Sequence, residues 1–180
     1  IYGYDIMNEP GGTLANWMGA AQAAVHAIRL NDTSHYVFIE GISYSGAQSW
    51  LANNSDLKVV DPVDRVIYSA HSYWDKDYQN WSTNWKFDGT YATYTQEGGY
   101  PEMGADLISD FITWLGERGY HGHIGEFGVP KNDTRWNTVL EKGLGAMQAA
   151  GLSATYWAGG PRWGTYPLSC EPTVSSTIDA

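Results

Sequence analysis

Residues 1–30 read IYGYDIMNEPGGTLANWMGAAQAAVHAIRL, and this stretch decides the fold. The apolar and aromatic run over 1–7 predicts a buried strand, which the turn residues at 8–12 end. A helix is predicted next, over Leu14–Leu30 with Thr13 as its N-cap, because apolar residues recur at three- and four-residue spacing: Leu14, Met18, Ala21, Val25 and Ile28. A strand followed by a helix is the unit from which parallel α/β sheets are built.

The same alternation continues along the chain. It predicts further strands over 36–39, 66–70, 122–125 and 153–157, and helices over 47–51, 102–117 and 134–150. Such a series forms either an open doubly wound sheet or a (β/α)8 barrel. No glycine-rich phosphate-binding motif follows any predicted strand, which favours the barrel. A complete barrel takes about 250 residues. We therefore predict α/β architecture with a partial (β/α)8 TIM barrel, as a single partial domain over residues 1–180.

The amino-acid composition limits the kinds of molecule that this chain is expected to bind. Ten Lys and Arg against twenty Asp and Glu leave a net charge of -10, which repels a phosphate backbone and excludes a nucleic-acid partner. No apolar run approaches the ~20 residues of a membrane span. The single cysteine, Cys170, predicts neither an internal disulfide nor a metal site. Nine Trp and thirteen Tyr exceed what a core of this size needs, and their flat rings with polar tips suit sugars.

Two glutamates follow predicted strands. Asn8-Glu9-Pro10 ends the first strand and Gly125-Glu126-Phe127-Gly128 the fourth, so both carboxylates are expected at one rim of the barrel. Two carboxylates that face each other across a sugar ring can together hydrolyse a glycosidic bond: one protonates the leaving oxygen and the other attacks the anomeric carbon. Tyr73, just after the third strand, is a candidate donor that keeps one of them ionised. The alternative interpretation makes Glu9 a helix-start carboxylate and Glu126 a loop charge.

Other candidates carry weaker signals. Glu40 ends the second strand as a third rim carboxylate, but it lacks a local motif and ranks below the other two. His121 and His123 are interpreted as structural, and Asp75 and Asp77 either bind substrate hydroxyls or solvate their loop. Several tryptophans fall in loops and either stack on sugars or pack: Trp50, Trp74, Trp81, Trp85 and Trp163. Three others fall in predicted helices and are expected in the core: Trp17, Trp114 and Trp136.

Four segments together resemble glycoside hydrolase family 5, the cellulase-type family. They are YDIMNEP (4–10), HSY (71–73), IGEFG (124–128) and TYW (155–157), and they occur in the family's order. The resemblance implies a retaining endo-β-1,4-glucanase that needs no cofactor and acts on a β-glucan polysaccharide. It makes Glu9 the acid/base and Glu126 the nucleophile. It also leads us to expect secretion.

The resemblance extends to substrate contacts. It implies that Asn8 contacts the sugar 2-hydroxyl, that His71 and Tyr73 are an active-site pair, and that Trp157 is a sugar platform. Trp163, in the last loop, is a further candidate for substrate contact. The strands would be the fourth to the eighth of the barrel, so the first three, with the Arg and His that the family uses there, are missing. We accordingly expect this chain alone to be unstable and inactive.

Three alternatives stay open at this point. The first is another family 5 glycanase, such as a mannanase, a xyloglucanase or a lichenase, because rim loops diverge freely on one barrel. The second is a non-catalytic carbohydrate-binding fragment, which the aromatic loops alone would favour and the predicted helices oppose. The third is an inactive remnant of an enzyme.

Overall fold

The computed structural model describes residues 1–74, 100–130, 134–163, 166 and 168–171. Strands alternate with helices throughout these residues. The strands are β1 (Gly3–Asp5), β2 (Tyr36–Glu40), β3 (Val66–Tyr73), β4 (His121–Gly128) and β5 (Ser153–Tyr156). The helices are α1 (Leu14–Arg29), α2 (Trp50–Asn54), α3 (Met103–Asp106), α4 (Ser109–Arg118) and α5 (Arg135–Ala149), with 3-10 turns at Ala47–Ser49 and Pro161–Trp163.

The strands form one parallel sheet in the order β1-β2-β3-β4-β5. Each strand pairs with the next strand of the chain, whereas the order of a doubly wound sheet reverses at one point. The sheet is a curled half-barrel with helices between its strands. The predicted partial (β/α)8 barrel is therefore confirmed.

Burial follows the position of each strand in the sheet. The six central residues of β3 are buried, whereas β1 and β5 are largely exposed because each of them ends the sheet that the described residues form. The prediction of a buried strand over 1–7 is wrong in extent and in burial, since β1 covers only Gly3–Asp5.

The hydrophobic core lies where the helices pack on the sheet. Its centre is aromatic: the ring of Trp50 lies 4.6 Å from that of Phe111 and 5.3 Å from that of Trp114. Trp17, Trp114 and Trp136 are buried, as predicted from their helical positions. The cap of α1 is also confirmed, because the Thr13 side chain accepts a hydrogen bond from the backbone N–H of Asn16.

The helix predicted over 102–117 is two helices, α3 and α4. Between them the Ser109 hydroxyl donates to the carbonyl oxygen of Asp106 at 2.7 Å, a local bond that competes with helix continuation. Gly119 ends α4 in the left-handed conformation, with φ 66°. None of the helices in the described part of the chain is both long and apolar enough to cross a membrane.

Candidate active site

Polar side chains converge at the carboxyl ends of the first four strands. Glu9 follows β1, Glu40 is the last residue of β2, and His71 lies near the end of β3. His71 is in register with Glu126 on β4, after a shift in pairing between Ala70 and His71. Irregular pairing of this kind re-aims side chains and is common beside active sites. Parallel topology therefore brings three carboxylates and one imidazole to a single rim.

Glu9 occupies an unusual backbone conformation. Its φ is 44°, in the left-handed region that residues other than glycine rarely adopt. The backbone N–H of Glu9 donates to Oε2 of Glu40 at 2.6 Å. This bond helps to compensate the cost of the left-handed turn, which is of order 1–3 kcal/mol.

His71 lies at the centre of the cluster and is 3% exposed. Its Nδ1 is 2.9 Å from Oε1 of Glu9, and its Nε2 is 3.2 Å from Oε1 of Glu40. Burial by itself lowers the pKa of His71, but the hydrogen bonds to Glu40 and Glu9 and the charges of Glu40 and Glu126 outweigh it and raise the pKa to about 10. The imidazole therefore carries a proton at neutral pH and compensates the carboxylates around it.

Glu126 is held from the side of β3. The Tyr73 hydroxyl donates to Oε2 of Glu126 at 2.5 Å, and Nδ1 of His71 lies 3.6 Å from the same oxygen. Burial raises the pKa of Glu126 above its ordinary value, and the His71 charge and the Tyr73 hydrogen bond reduce that rise without cancelling it. Burial and the Glu126 charge also raise the pKa of Tyr73, so its phenol keeps the proton that it donates.

The two sequence-predicted carboxylates face each other closely. One oxygen of Glu9, one of Glu126 and a ring nitrogen of His71 all lie within 4.8 Å of one another. By their distances alone three such atoms could hold a metal ion, but the same side chains already bind one another through the hydrogen bonds around His71 and Tyr73. We assign no metal to the cluster.

Glu126 lines a cavity of about 440 Å³, and Glu9 lies next to that residue. Asn8 lies on the cavity wall beside the glutamates. Trp157, directly after β5, and Trp163 line the other side, with ring centroids 5.0 Å apart. A polar floor beside aromatic rings suits a sugar, whose hydroxyls bind polar groups and whose ring faces stack on indoles.

The structure thus brings the sequence-predicted site residues to one place. Asn8, His71, Glu126, Trp157 and Trp163 line the cavity, and Glu9 and Tyr73 join it through their hydrogen bonds to His71 and Glu126. Their roles in catalysis and binding stay predictions.

Sequence reasoning underrated Glu40. It is 1% exposed and lies beside His71 and Glu9, but no sequence motif surrounds it that would indicate a site residue. The available signal was its position as the last residue of a barrel strand.

The remaining candidates from the loops are either buried in the core or outside the residues that the structure describes. Trp50 and Trp74 are 0% and 1% exposed, so they pack in the core and cannot stack on a sugar. Trp81 and Trp85, together with Asp75 and Asp77, lie outside the described residues. His123 lies between the hydroxyls of Ser153 and Thr155, at 2.8 and 3.0 Å, and it also lines the cavity, so its structural role stays a prediction.

The chain is similar to curated fungal glucanases. It is 37% identical over 156 residues to endo-beta-1,4-glucanase B of Emericella nidulans, an alignment that covers 84% of this chain and 44% of that protein. It is 34% identical over 155 residues to endoglucanase gh5-1 of Neurospora crassa, covering 84% and 36%. The chain therefore spans less than half the length of these relatives.

A solved structure matches the fold as well. Pseudomonas stutzeri endoglucanase Cel5A, crystallised in complex with cellobiose, superposes with a TM-score of 0.84 at 40% identity, covering 96% of this chain and 50% of that one. The model of the cellulase family, glycosyl hydrolase family 5, matches residues 1–162. With nearly the whole sequence matched and the half-barrel superposed, this chain belongs to glycosyl hydrolase family 5, the cellulase family.

Proposed function

We propose that this chain supplies the fourth to eighth strands of a retaining endo-β-1,4-glucanase, with Glu9 as acid/base and Glu126 as nucleophile. The observation that carries the proposal is the approach of a Glu9 oxygen to within 4.8 Å of an oxygen of Glu126, which lines the cavity. Retaining enzymes hold their carboxyl groups about 5–5.5 Å apart, whereas inverting enzymes leave about 6.5–9.5 Å for a water molecule. A closest oxygen–oxygen approach of no more than 4.8 Å is compatible with the shorter range and supports retention.

The division of roles follows from the family motifs, and the contacts of the two carboxylates allow it. Glu126 accepts the Tyr73 hydroxyl, a donor that stabilises its ionised form, as a nucleophile requires. Glu9 accepts from His71 through Oε1, while no described residue bonds its other oxygen. That second oxygen is the atom that carries the transferable proton in the proposed mechanism.

The reaction then takes two steps. In the first, a Glu126 oxygen bonds to the anomeric carbon, the glycosidic C–O bond breaks, and Glu9 gives its proton to the departing oxygen. In the second, Glu9 takes a proton from water, the water oxygen attacks the anomeric carbon, and the bond to Glu126 breaks. The product keeps the β configuration.

The proposed substrate is a β-1,4-glucan. The Emericella nidulans relative is named an endo-beta-1,4-glucanase, and the Pseudomonas stutzeri endoglucanase was crystallised with cellobiose. Rates on cellulose, mannan, xyloglucan and mixed-linkage glucan distinguish this proposal from the other glycanases. A clear preference for mannan would overturn the substrate and leave the mechanism in place.

The test uses a completed barrel, defined as this chain preceded by three further βα units. Glu9→Gln and Glu126→Gln should each lower kcat/KM on cellopentaose by about 10²–10⁴-fold, because each removes a group that acts in the transition state. Circular dichroism should stay unchanged. The matched control is Glu117→Gln, an exposed glutamate on α4 paired with Arg118, which should keep full activity.

Stereochemistry gives a second measurement. Proton NMR of the first product should show the β anomer, and a 2-deoxy-2-fluoro-cellobioside should label Glu126, as read by mass spectrometry of its peptide. Near-full activity in either glutamate variant, or an α anomer formed first, would contradict the proposal.

A further inference from the structure

Glu40 is a buried carboxylate that the mechanism above does not use. It is 1% exposed, and both of its side-chain oxygens are engaged. Oε2 accepts from the backbone N–H of Glu9 at 2.6 Å, and Oε1 lies 3.2 Å from Nε2 of His71. Its carbonyl oxygen accepts from the indole N–H of Trp17 at 2.7 Å, which fixes the strand end from the helix side.

Packing of the fold does not by itself require a charged side chain at position 40. Burying a carboxylate costs several kcal/mol unless partners compensate it, and well-packed apolar residues often replace buried ion pairs without loss of stability. Instead, the two partners of Glu40 are the backbone N–H of Glu9 and the imidazole of His71, which itself contacts the Glu9 carboxylate. One bond holds the Glu9 backbone at φ 44°, and the other orients the imidazole whose Nδ1 lies 2.9 Å from the Glu9 carboxylate.

Glu40 therefore reaches Glu9 by two independent routes. The direct route acts on the main chain, at the residue whose left-handed turn aims the side chain. The indirect route acts on the carboxylate itself through His71. A shift of about 1 Å in a catalytic group can cost 10²-fold in rate, so two constraints on one acid give a reason to keep a buried charge.

We propose that Glu40 is a positioning residue for the acid/base, which holds the Glu9 backbone directly and the Glu9 carboxylate through His71. This inference rests on the proposed function, in which Glu9 protonates the leaving oxygen. It predicts that the loss of Glu40 impairs proton donation specifically, while nucleophilic attack by Glu126 continues.

The charges around His71 fit this role. Asp5 and Glu9 face it from β1 and its loop, Glu40 from β2, and Glu126 and His123 from β4. Glu40→Gln cannot satisfy both old partners as before, because an amide has one acceptor oxygen and one donor nitrogen. If the oxygen keeps the bond to the Glu9 N–H, the amide N–H₂ faces Nε2 of His71 and favours a neutral imidazole. Loss of the His71 charge raises the pKa of Glu126 and loss of the Glu40 charge lowers it, so the two changes oppose each other at the nucleophile.

Two substrates with different leaving groups distinguish acid catalysis from the other steps of the reaction. Cellopentaose needs a proton on its departing oxygen, whereas 2,4-dinitrophenyl β-cellobioside releases a phenolate that needs none. In the completed barrel, Glu40→Gln should lower kcat/KM on cellopentaose by about 10–100-fold and change it less than threefold on the dinitrophenyl substrate. The loss on cellopentaose should lie mainly in kcat.

Both substrates are assayed on one sample, so a reduced folded fraction lowers both rates equally and cancels in their ratio. Glu117→Gln should leave both rates unchanged. If Glu40→Gln does not fold, Glu40→Asp replaces it, because the shorter carboxylate keeps the charge but cannot reach both partners. An equal loss on the two substrates, or no loss on either, would overturn the inference.

The Glu9→Gln variant distinguishes a failure of the proposed acid/base role of Glu9 from a failure of the proposed positioning role of Glu40. It should show the same dependence on the leaving group, with a larger loss on cellopentaose. If Glu9→Gln lacks that dependence, the proposed role of Glu9 fails. If Glu9→Gln has it and Glu40→Gln does not, only the inference about Glu40 fails.

Discussion

At the scale of single residues, one imidazole organises the site. His71 is 3% exposed and contacts carboxylates from three different strands or their loops. Three buried or half-buried carboxylates so close together would repel one another without a positive charge between them. The proton on His71 thus lets Glu9, Glu40 and Glu126 occupy one rim.

Tyr73 adjusts the charge state of Glu126. Its hydroxyl donates to Oε2 at 2.5 Å, a bond that lowers the pKa of Glu126 and works against the rise caused by burial. Tyr73→Phe removes that bond, so the pKa of Glu126 should rise further. Because the nucleophile acts ionised, the acidic limb of the kcat/KM profile of the completed barrel should move to higher pH.

The matched control for Tyr73 is Tyr36→Phe, at the start of β2, where the hydroxyl is far from the cavity. Its pH profile should coincide with that of the parent. An acidic limb that stays in place in Tyr73→Phe, or that moves to lower pH, would show that Tyr73 does not stabilise the ionised nucleophile.

At the scale of elements, glycines let α3 and α5 pack closely against each other and against Trp74. A Cβ added at Gly143 on α5 would lie 2.3 Å from the Trp74 ring, and one at Gly104 on α3 would lie 2.7 Å from the carbonyl oxygen of Val139. Trp74 is 1% exposed and follows β3 directly, next to Tyr73. The absence of side chains at these glycines allows α3 and α5 to close over Trp74.

Gly143→Ala should therefore destabilise the completed barrel, by about 1–3 kcal/mol, because the new methyl group overpacks the rigid indole. Gly145→Ala is the control on the same helix. A Cβ there meets nothing within 4 Å, so the better helix propensity of alanine should stabilise by up to about 1 kcal/mol. Urea denaturation measures both free energies of unfolding, and equal shifts of one sign would contradict the packing argument.

These elements also show which parts of the fold can be predicted from the sequence alone. The strand–helix alternation and the cap at Thr13 follow from local spacing and local hydrogen bonds, so a single sequence suffices to predict them. The burial of Trp50 and Trp74 does not, because a loop tryptophan looks the same in sequence whether a helix covers it or not.

At the scale of the whole molecule, the sheet ends expose apolar surface. Ile1 and Tyr2, before β1, are 98% and 66% exposed, and Met7 after it is 52% exposed. β1 and β5 each pair on one side only within the described sheet. Unpaired strand edges beside apolar side chains promote association with other chains.

The 180-residue chain by itself should therefore associate and bind a hydrophobic dye, and it should lack a cooperative melt. Tyr2→Lys should reduce the association, because a charge next to the open edge blocks edge pairing. Leu144→Lys, on the outer face of α5 and 43% exposed, is the control and should have no effect. Sedimentation measures the change, and a monomeric chain with a cooperative melt would contradict the expectation.

The sequence by itself determined the alternation of strands and helices, and it indicated that Glu9 and Glu126 follow strands of one parallel sheet. Those features depend on residue spacing and on the rule that parallel strands end at one rim. Only the tertiary structure decided which groups touch. The bond of Glu40 to the Glu9 backbone spans 31 residues, and the contact of His71 with Glu9 spans 62. Such contacts arise from strand order and register, which bring distant residues together without leaving a local motif.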